Sequence, residues 1–503
     1  MTNDAAQIER FDPSLDGLLN CVVREVPGWR LARSGTARPA AFELELPGRG
    51  LMLRARLRHH SPVGYHAFEP PLLLGAKDRL RPAGAVACLA LLIEEQALVG
   101  PTSQLGRERF LARLAESRRN VQAALLARAD RLERLFAGSL DFIDGEQALL
   151  TGHPTHPTPK SYDEFGCDDA IAYAPEFAAA FPLHWHLIER RALDAGGTPD
   201  HAPADATQAL FQSDPALPVA LQRRGRDLAP DWLPIPMHPW QACRLRTRAP
   251  LARLLADGLA EDLGRIGSPF RPTSSLRTLH ADHAPYMLKF SLAVRVTNSK
   301  RLMEPKEWQR GKQMHQLLTG PFAAVLADEA PGLSVLGEPV HLALRDAEGR
   351  GAESAVVLRV NPFRGAAAQG IIPLVSLCEA HPYGGRSRLG WHLDRLARRR
   401  GLAKEAAAAL WLDHFLEVAV APFLGLEAAH GLLLSTHGQN LLLRLEDDLP
   451  VAAWYRDCQG AGYDIARADH LRRWLPELGQ EASNGVERAL GHKLLAYYLV
   501  VNA

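Results

Sequence analysis

The sequence predicts an α+β protein of several domains, and three observations carry that expectation. Apolar residues recur at helical spacing through the first third, at Phe110, Leu111, Leu114, Val121, Leu125, Leu132 and Leu135. Apolar and polar residues alternate strictly near residue 290, as in a strand with two unlike faces, and the last third returns to long helix-forming runs. A chain of 503 residues, 47% hydrophobic and 23% charged, is long enough to bury two or three ordinary cores.

Taken in order, the amino terminus "MTNDAAQIERFDP" lacks the basic region and apolar core of a signal peptide. The run "AVACLALLI" ends at two glutamates and is too short for a membrane span, so a soluble cytoplasmic protein is expected. Helices are predicted over 84–98 and 107–137, making residues 1–150 a helical module. From 151 to 335 the texture changes to Pro- and His-bearing loops, "GHPTHPTPK" and "PIPMHPWQ", then to strands of an antiparallel sheet, with 194–215 expected as a surface loop. From 336 to 503, a Gly, Arg and Ala stretch precedes "KEAAAALWLDHFLEVAVAPFLGLEAAHG", a long helix stopped by Gly431. A hairpin from His437 to Gly460 follows, turning at "DDLP".

Several functions are excluded or left unsupported. A net charge of +1 argues against a nucleic-acid surface. Six cysteines without a CxxC pair indicate neither a disulfide framework nor a cysteine zinc site, and no HExxH is present. There is no GxxxxGK[ST] loop, no GxGxxG opening a helix and no GxSxG elbow.

Two constellations carry chemistry. In "YMLKFSLAVRVTNSKR" the period-two pattern presents Lys289, Ser291 and Thr297 on one face, with Ser275 and Arg277 just upstream and Arg301 just beyond. Four of only eight lysines, Lys289, Lys300, Lys306 and Lys312, cluster here, which suits an anionic ligand. A charged, solvated surface strand is the plainer alternative. The hairpin brings His437, Asn440 and Asp457 to one end, where an amide and a carboxylate oxygen suit a Mg²⁺ carrying nucleotide phosphates. A hairpin with merely polar ends would look the same. The Asn and Asp also resemble the metal-binding pair of kinase-like phosphotransferases, but Gly438 and Gln439 stand where those enzymes place a catalytic Asp.

In order and spacing, "GHPTHPTPK", "YAPEF", "MHPWQ", "SSLRT", "LKFSLAVRVTNSKR", "HGQN" and "RDCQG" resemble the siderophore synthetases that work without a peptide synthetase, the aerobactin-synthetase-like family. The resemblance implies a cupped hand: a helical thumb at 1–150, β-rich fingers at 151–335 and a helix-rich, kinase-like palm at 336–503. It implies ATP and Mg²⁺, adenylation of a carboxylate of citrate or a citrate derivative, transfer to an amine or alcohol, and a homodimer. It would make Ser275, Arg277, Lys289, Asn440 and Asp457 nucleotide contacts, the last two also metal ligands. His153, His156, Lys160, Thr297, Arg301 and His437 would face the substrates, with Arg301, His437 and Lys289 closest to the chemistry. Two residues depart from the family pattern: Ser435 stands where a glutamate is usual, and Tyr162 where an arginine is. A kinase-like phosphotransferase and a ligand-binding relative without turnover are the competing readings.

Overall fold

In the computed structural model, residues 12–33, 39–221, 231–346 and 350–501 are described. After a helix at Pro13–Glu25 come β1 (Trp29–Arg33), β2 (Pro39–Leu46), β3 (Leu51–His59), β4 (Ala67–Gly75) and β5 (Arg81–Ala83), a five-stranded antiparallel meander. The expected helices follow, at Ala85–Ile93, Gln96–Val99, Gln104–Ala127 and Leu132–Ala137. The first third is therefore not the helical module expected, because a sheet precedes its helices. The sheet does have a sequence signal. Phe42, Leu44 and Leu46 point inward and alternate with Glu43 and Glu45, as Leu53 and Ala55 alternate with Arg54 and Arg56. On the outer face Glu43 pairs with Arg30 at 3.0 Å and Arg54 at 3.4 Å.

The remaining strands are β6 (Phe181–Glu189), β7 (Leu193–Gly197), β8 (Trp232–Met237), β9 (Ala260–Pro272), β10 (Thr278–His280), β11 (Tyr286–Phe290), β12 (Leu292–Val296), β13 (Ser299–Arg301), β14 (Leu333–Val335), β15 (Val340–Leu344), β16 (Val356–Val360), β17 (Ile371–Pro373), β18 (Leu432–Leu433), β19 (Leu441–Glu446), β20 (Leu449–Tyr455), β21 (Gly462–Asp464) and β22 (Gly485–Val486). Eight form the central sheet, in the order β7-β15-β16-β11-β10-β9-β6-β8, and β14-β20-β19-β17 form a second sheet in the last third. The central antiparallel sheet is as expected. Its extent is not: β15 and β16 belong to it, so a division at 335 cuts through its core.

The division at 150 fails for a similar reason. The Gln104–Ala127 helix, about 36 Å long at 1.5 Å per residue, sets Leu114 in the amino-terminal core and Val121 and Leu125 in the carboxy-terminal one. Residues 194–215 are not a loop. They hold β7 and a helix at Pro203–Gln212 that starts on proline and buries Leu210 and Phe211.

The long carboxy-terminal helix is present as Lys404–Phe415, a wider π turn at Leu416–Val420 and Ala421–His430, ended by Gly431 at φ 73°. Pro422 lacks the N–H that would continue a regular ladder, which accounts for the wider turn beside it. By length and composition this helix could cross a membrane, but Ala407, Trp411, Ala419, Phe423 and Leu426 pack into the core.

The histidine of "MHPWQ" has a structural part. His238 is fully buried between the rings of Tyr173, Phe181 and Phe290, and its Nδ1 accepts the Trp240 N–H at 3.2 Å, capping the Pro239–Leu245 helix. Burial pushes its pKa down to about 3. An unfolded histidine takes up its proton near pH 6.5, so the unfolded chain binds protons first and stability is lost as pH falls from about 6.5 toward 3. The melting temperature is expected to fall across that window, and to fall less steeply in His238→Asn, which can still cap but does not titrate. A melting temperature independent of pH from 6.5 to 4 would contradict this.

Candidate active site

A cleft of about 390 Å³ opens between the central sheet and the carboxy-terminal hairpin, and every region contributes to it, from Tyr65 to Tyr498. The hairpin supplies one wall. Asp447 and Asp448 form its two-residue turn at φ 53° and 71°, and β19 and β20 then bring their far ends together. The Arg456 N–H donates to Asn440 O at 3.1 Å and the Asn440 N–H to His437 O at 2.7 Å. Asp457 follows at φ 80°, a left-handed conformation that Asp tolerates better than most residues. His437, Asn440 and Asp457 thus share one end of the hairpin, as expected.

The opposite wall differs from the single strand expected. The alternating segment is two strands: β11 is buried throughout and belongs to the central sheet, whereas β12 forms a separate two-stranded ladder with β13 and a single bridge from Val296 to Tyr162. Lys289, only 2% exposed, reaches out of β11 and donates to Asp457 Oδ1 at 2.5 Å and Glu338 Oε1 at 3.1 Å. Arg359 from β16 also donates to Glu338 Oε1, at 3.0 Å through Nε. Burial alone would raise the pKa of Asp457, but Lys289, Arg359 and Arg277 overcome it and hold the carboxyl well below the usual range. Ser291 does not face the cleft. It is buried, and its Oγ accepts the Met303 N–H at 2.9 Å.

Ser275 and Arg277 sit in a tight loop between β9 and β10, in which Leu276 takes φ 68°. Ser275 Oγ lies 3.1 Å from Thr273 Oγ1 and accepts the Thr278 N–H at 3.3 Å. Arg277 donates to Arg301 O at 3.2 Å, and Arg301 donates to Thr297 Oγ1 at 3.0 Å and Val296 O at 3.1 Å. Burial, with Arg277 alongside, lowers the pKa of Arg301 to about 10, which leaves it a cation at neutral pH. Lys289, Arg359, Arg277 and Arg301 are four cations set against the carboxylates of Asp457 and Glu338, so this part of the cleft is net positive and suited to phosphates and carboxylates.

The "GHPTHPTPK" residues divide. His153 lines the cleft. His156 does not; its Nε2 lies 3.1 Å from Asn298 Oδ1 in the β12–β13 turn. Lys160 reaches the lining, but its ammonium turns inward to Leu149 O at 2.9 Å and Glu176 Oε2 at 3.0 Å, while Tyr162 donates to Glu176 Oε1 at 2.6 Å. Its expected grip on substrate is corrected to a buried ion pair, because Glu176 of "YAPEF" takes its charge. His437 lies 6.0 Å from the Tyr498 ring, and burial lowers its pKa, so its imidazole is neutral at pH 7.

Besides Arg359 and Glu338, further contributors escaped sequence reasoning. Glu146, fully buried, pairs with Arg456 at 2.5 Å and accepts the Ser274 N–H at 2.9 Å, while Arg456 Nε donates to Gln439 O at 2.9 Å. This lashes the Ser275 loop to the hairpin. Arg456 was visible in "RDCQG", but nothing local marks Glu146, 310 residues earlier. Tyr497 and Tyr498, from the last helical turn, close one side of the cleft, and the sequence around them reads only as an apolar helix.

The donor set fits a hard cation. Asp457 offers a carboxylate, and Asn440 donates through Nδ2 to Ser435 O at 3.2 Å, leaving its carbonyl oxygen for another partner. A Cβ on Gly460 would stand 3.3 Å from Asp457 Oδ2, so glycine keeps that flank of the carboxylate open.

Residues 141–379 match the model of the IucA / IucC family, and residues 409–503 that of the ferric iron reductase FhuF-like transporter. The chain is 32% identical over 496 residues to N(2)-citryl-N(6)-acetyl-N(6)-hydroxylysine synthase of Vibrio mimicus, covering 98% of this chain and 81% of that protein. It is 32% identical over 498 residues to rhizobactin siderophore biosynthesis protein RhbC of Rhizobium meliloti, covering 97% and 83%. ATP-bound aerobactin synthetase IucA from Klebsiella pneumoniae superposes with a TM-score of 0.90 at 32% identity, over 98% of this chain and 86% of that one.

Proposed function

Because the chain belongs to the IucA / IucC family of siderophore synthetases, we propose that its cleft uses ATP to adenylate a carboxylate of citrate, or of a citrate-derived acid, and passes the acyl group to an amine or alcohol. The observation that carries this reading is the meeting, across one cleft, of the Arg277, Lys289 and Arg301 cations with Asn440 and Asp457 of the hairpin. The name of the Vibrio mimicus relative, a citryl-lysine derivative synthase, supports citrate and an amine as the pair.

In this reading Arg277 and the Ser275 loop hold the triphosphate. Arg301, steadied by Thr297, and His437 orient the acid so that one carboxylate oxygen meets the α-phosphorus. Negative charge grows on the phosphoryl oxygens as pyrophosphate leaves, and fixed cations stabilise it without reorganising. Asn440 and Asp457 would hold Mg²⁺, which supplies further neutralisation of the phosphates when bound. The second substrate then attacks the acyl carbon and AMP departs, with the neutral His437 imidazole placed to take the nucleophile's proton. Use of ATP puts the reaction in the cytoplasm. The homodimer belongs to the same proposal and is open to sedimentation analysis.

The test is the nucleotide product across citrate, citryl and succinyl conjugates and 2-oxoglutarate. AMP with pyrophosphate, dependent on one of these acids, supports ligation. ADP would point to phosphotransfer, and no turnover with any acid would favour a binding protein. In the same panel Arg301→Ala is expected to lower activity more with polycarboxylates than with monocarboxylates, by about ten- to a hundredfold for the loss of one charge-assisted contact. An equal loss with every acid would assign Arg301 to phosphate alone.

A further inference from the structure

β6 carries His184 and His186 two residues apart, and alternation sends both rings to one face of the central sheet, where they stack at 4.8 Å and 19°. Asp262 of neighbouring β9 stands opposite His186, at a bulge: Trp185 pairs with Gly264 and His186 with Asp262, which leaves Leu263 without a partner on β6. The bulge turns the Asp262 carboxylate toward the imidazoles. Its Oδ1 accepts the Gly264 N–H at 2.8 Å and lies 2.6 Å from His184 Nε2 and 4.0 Å from His186 Nε2. One ligand atom from each residue falls within 4.8 Å of the others.

A His184–Asp262 ion pair is the plain explanation, and it accounts for His184 and Asp262. It does not account for His186. That ring is only 1% exposed, its Nδ1 has no hydrogen-bond partner, and its Nε2 stands beyond hydrogen-bond reach of the carboxylate it faces. The Nε2 of this buried imidazole faces a carboxylate and stacks beside a second imidazole without bonding to either, and so offers a ligand atom to a cation. His184 and Asp262 keep 15% and 25% of their side-chain surface exposed, so the cluster is open on one side. Arg246 lies 4.0 Å from Asp262 Oδ2 on a side chain that is 69% exposed, and Arg265 of β9 stands opposite His184 in the register.

We infer that His184, His186 and Asp262 form a binding site for a divalent transition metal, with two imidazoles, one carboxylate and an open position. None of the three lines the ATP-sized cleft. Nitrogen-rich donors of this kind favour Zn²⁺, Co²⁺ or Fe²⁺ over Mg²⁺, so the ion would not be the one proposed for the nucleotide.

The experiment titrates metal-free full-length protein with Zn²⁺ by calorimetry and with Co²⁺ by visible absorption. Asp262→Asn and His184→Gln run in parallel, both at partly exposed positions where folding is expected to survive, with circular dichroism to check it. The native protein is expected to bind one more tight Zn²⁺ than either variant, to show Co²⁺ ligand-field bands that both variants lose, and to melt higher with Zn²⁺ only when the triad is intact. Affinity in either variant should fall at least tenfold. Equal Zn²⁺ stoichiometry and affinity in the native protein and folded Asp262→Asn would overturn the site and leave a hydrogen-bonded His–Asp pair.

Discussion

Lys289→Ala is expected to lose both pyrophosphate release and thermal stability, and the size of both losses follows from burial. The ammonium lies between Asp457 and Glu338, and removing it takes a partner from the fully buried Glu338 carboxylate and from Asp457, whose side chain is 30% exposed. Breaking a buried pair from one side costs about 3–5 kcal/mol. Arg359 still pairs with Glu338, which places the expected loss at the lower end of that range. Loss of one charge-assisted phosphate contact adds about a ten- to hundredfold fall in kcat/KM for ATP. The sequence pattern, which sets Lys289 on the polar face of an alternating strand, leads instead to a variant with an intact fold. Melting curves and ATP kinetics on the same preparation decide between them, with Lys289→Arg as a charge-keeping control. An unchanged melting temperature with near-normal ATP kinetics would take Lys289 out of the site.

Asp457→Asn should separate chemistry from scaffold. Asparagine also adopts the left-handed conformation that Asp457 holds at φ 80°, so the hairpin end is expected to keep its shape. Lys289 and Arg359 retain Glu338 as a partner, and the melting temperature should therefore fall less than in Lys289→Ala. If Asp457 binds Mg²⁺ beside the phosphates, the variant will need much more metal and release pyrophosphate about ten- to a hundredfold more slowly. The carboxyl is held well below its usual range, so it stays ionised at every working pH, and what it adds to stability is lost only as pH falls below about 3.9. Any acid limb of activity between pH 5 and 7 should consequently persist in the variant. An unaltered Mg²⁺ dependence, in this variant and in Asn440→Ala alike, would reduce the hairpin to scaffold.

The sequence by itself determined the elements that rest on local chemistry. The helix stopped at Gly431, the Asp447–Asp448 turn, and the meeting of His437, Asn440 and Asp457 at one hairpin end all follow from residues within reach of one another along the chain. The meander of β1–β5 also left a signal, in the alternation of Phe42, Leu44 and Leu46 with glutamates, which the helical reading of residues 1–150 passed over.

Tertiary structure alone decided which charges are free. Lys160 and Lys289 are both single lysines in motifs that reach the cleft lining, yet the ammonium of one turns inward to Glu176 and that of the other lies between Asp457 and Glu338. Alternation states that a side chain leaves one face of a strand, not what covers that face, and β11 is covered on both. Glu146 reached Arg456 across 310 residues, and His186 found Asp262 through a bulge in a different strand. Pairings over such separations come from how the sheets and helices pack together, and no local pattern of residues encodes the partner that burial makes obligatory.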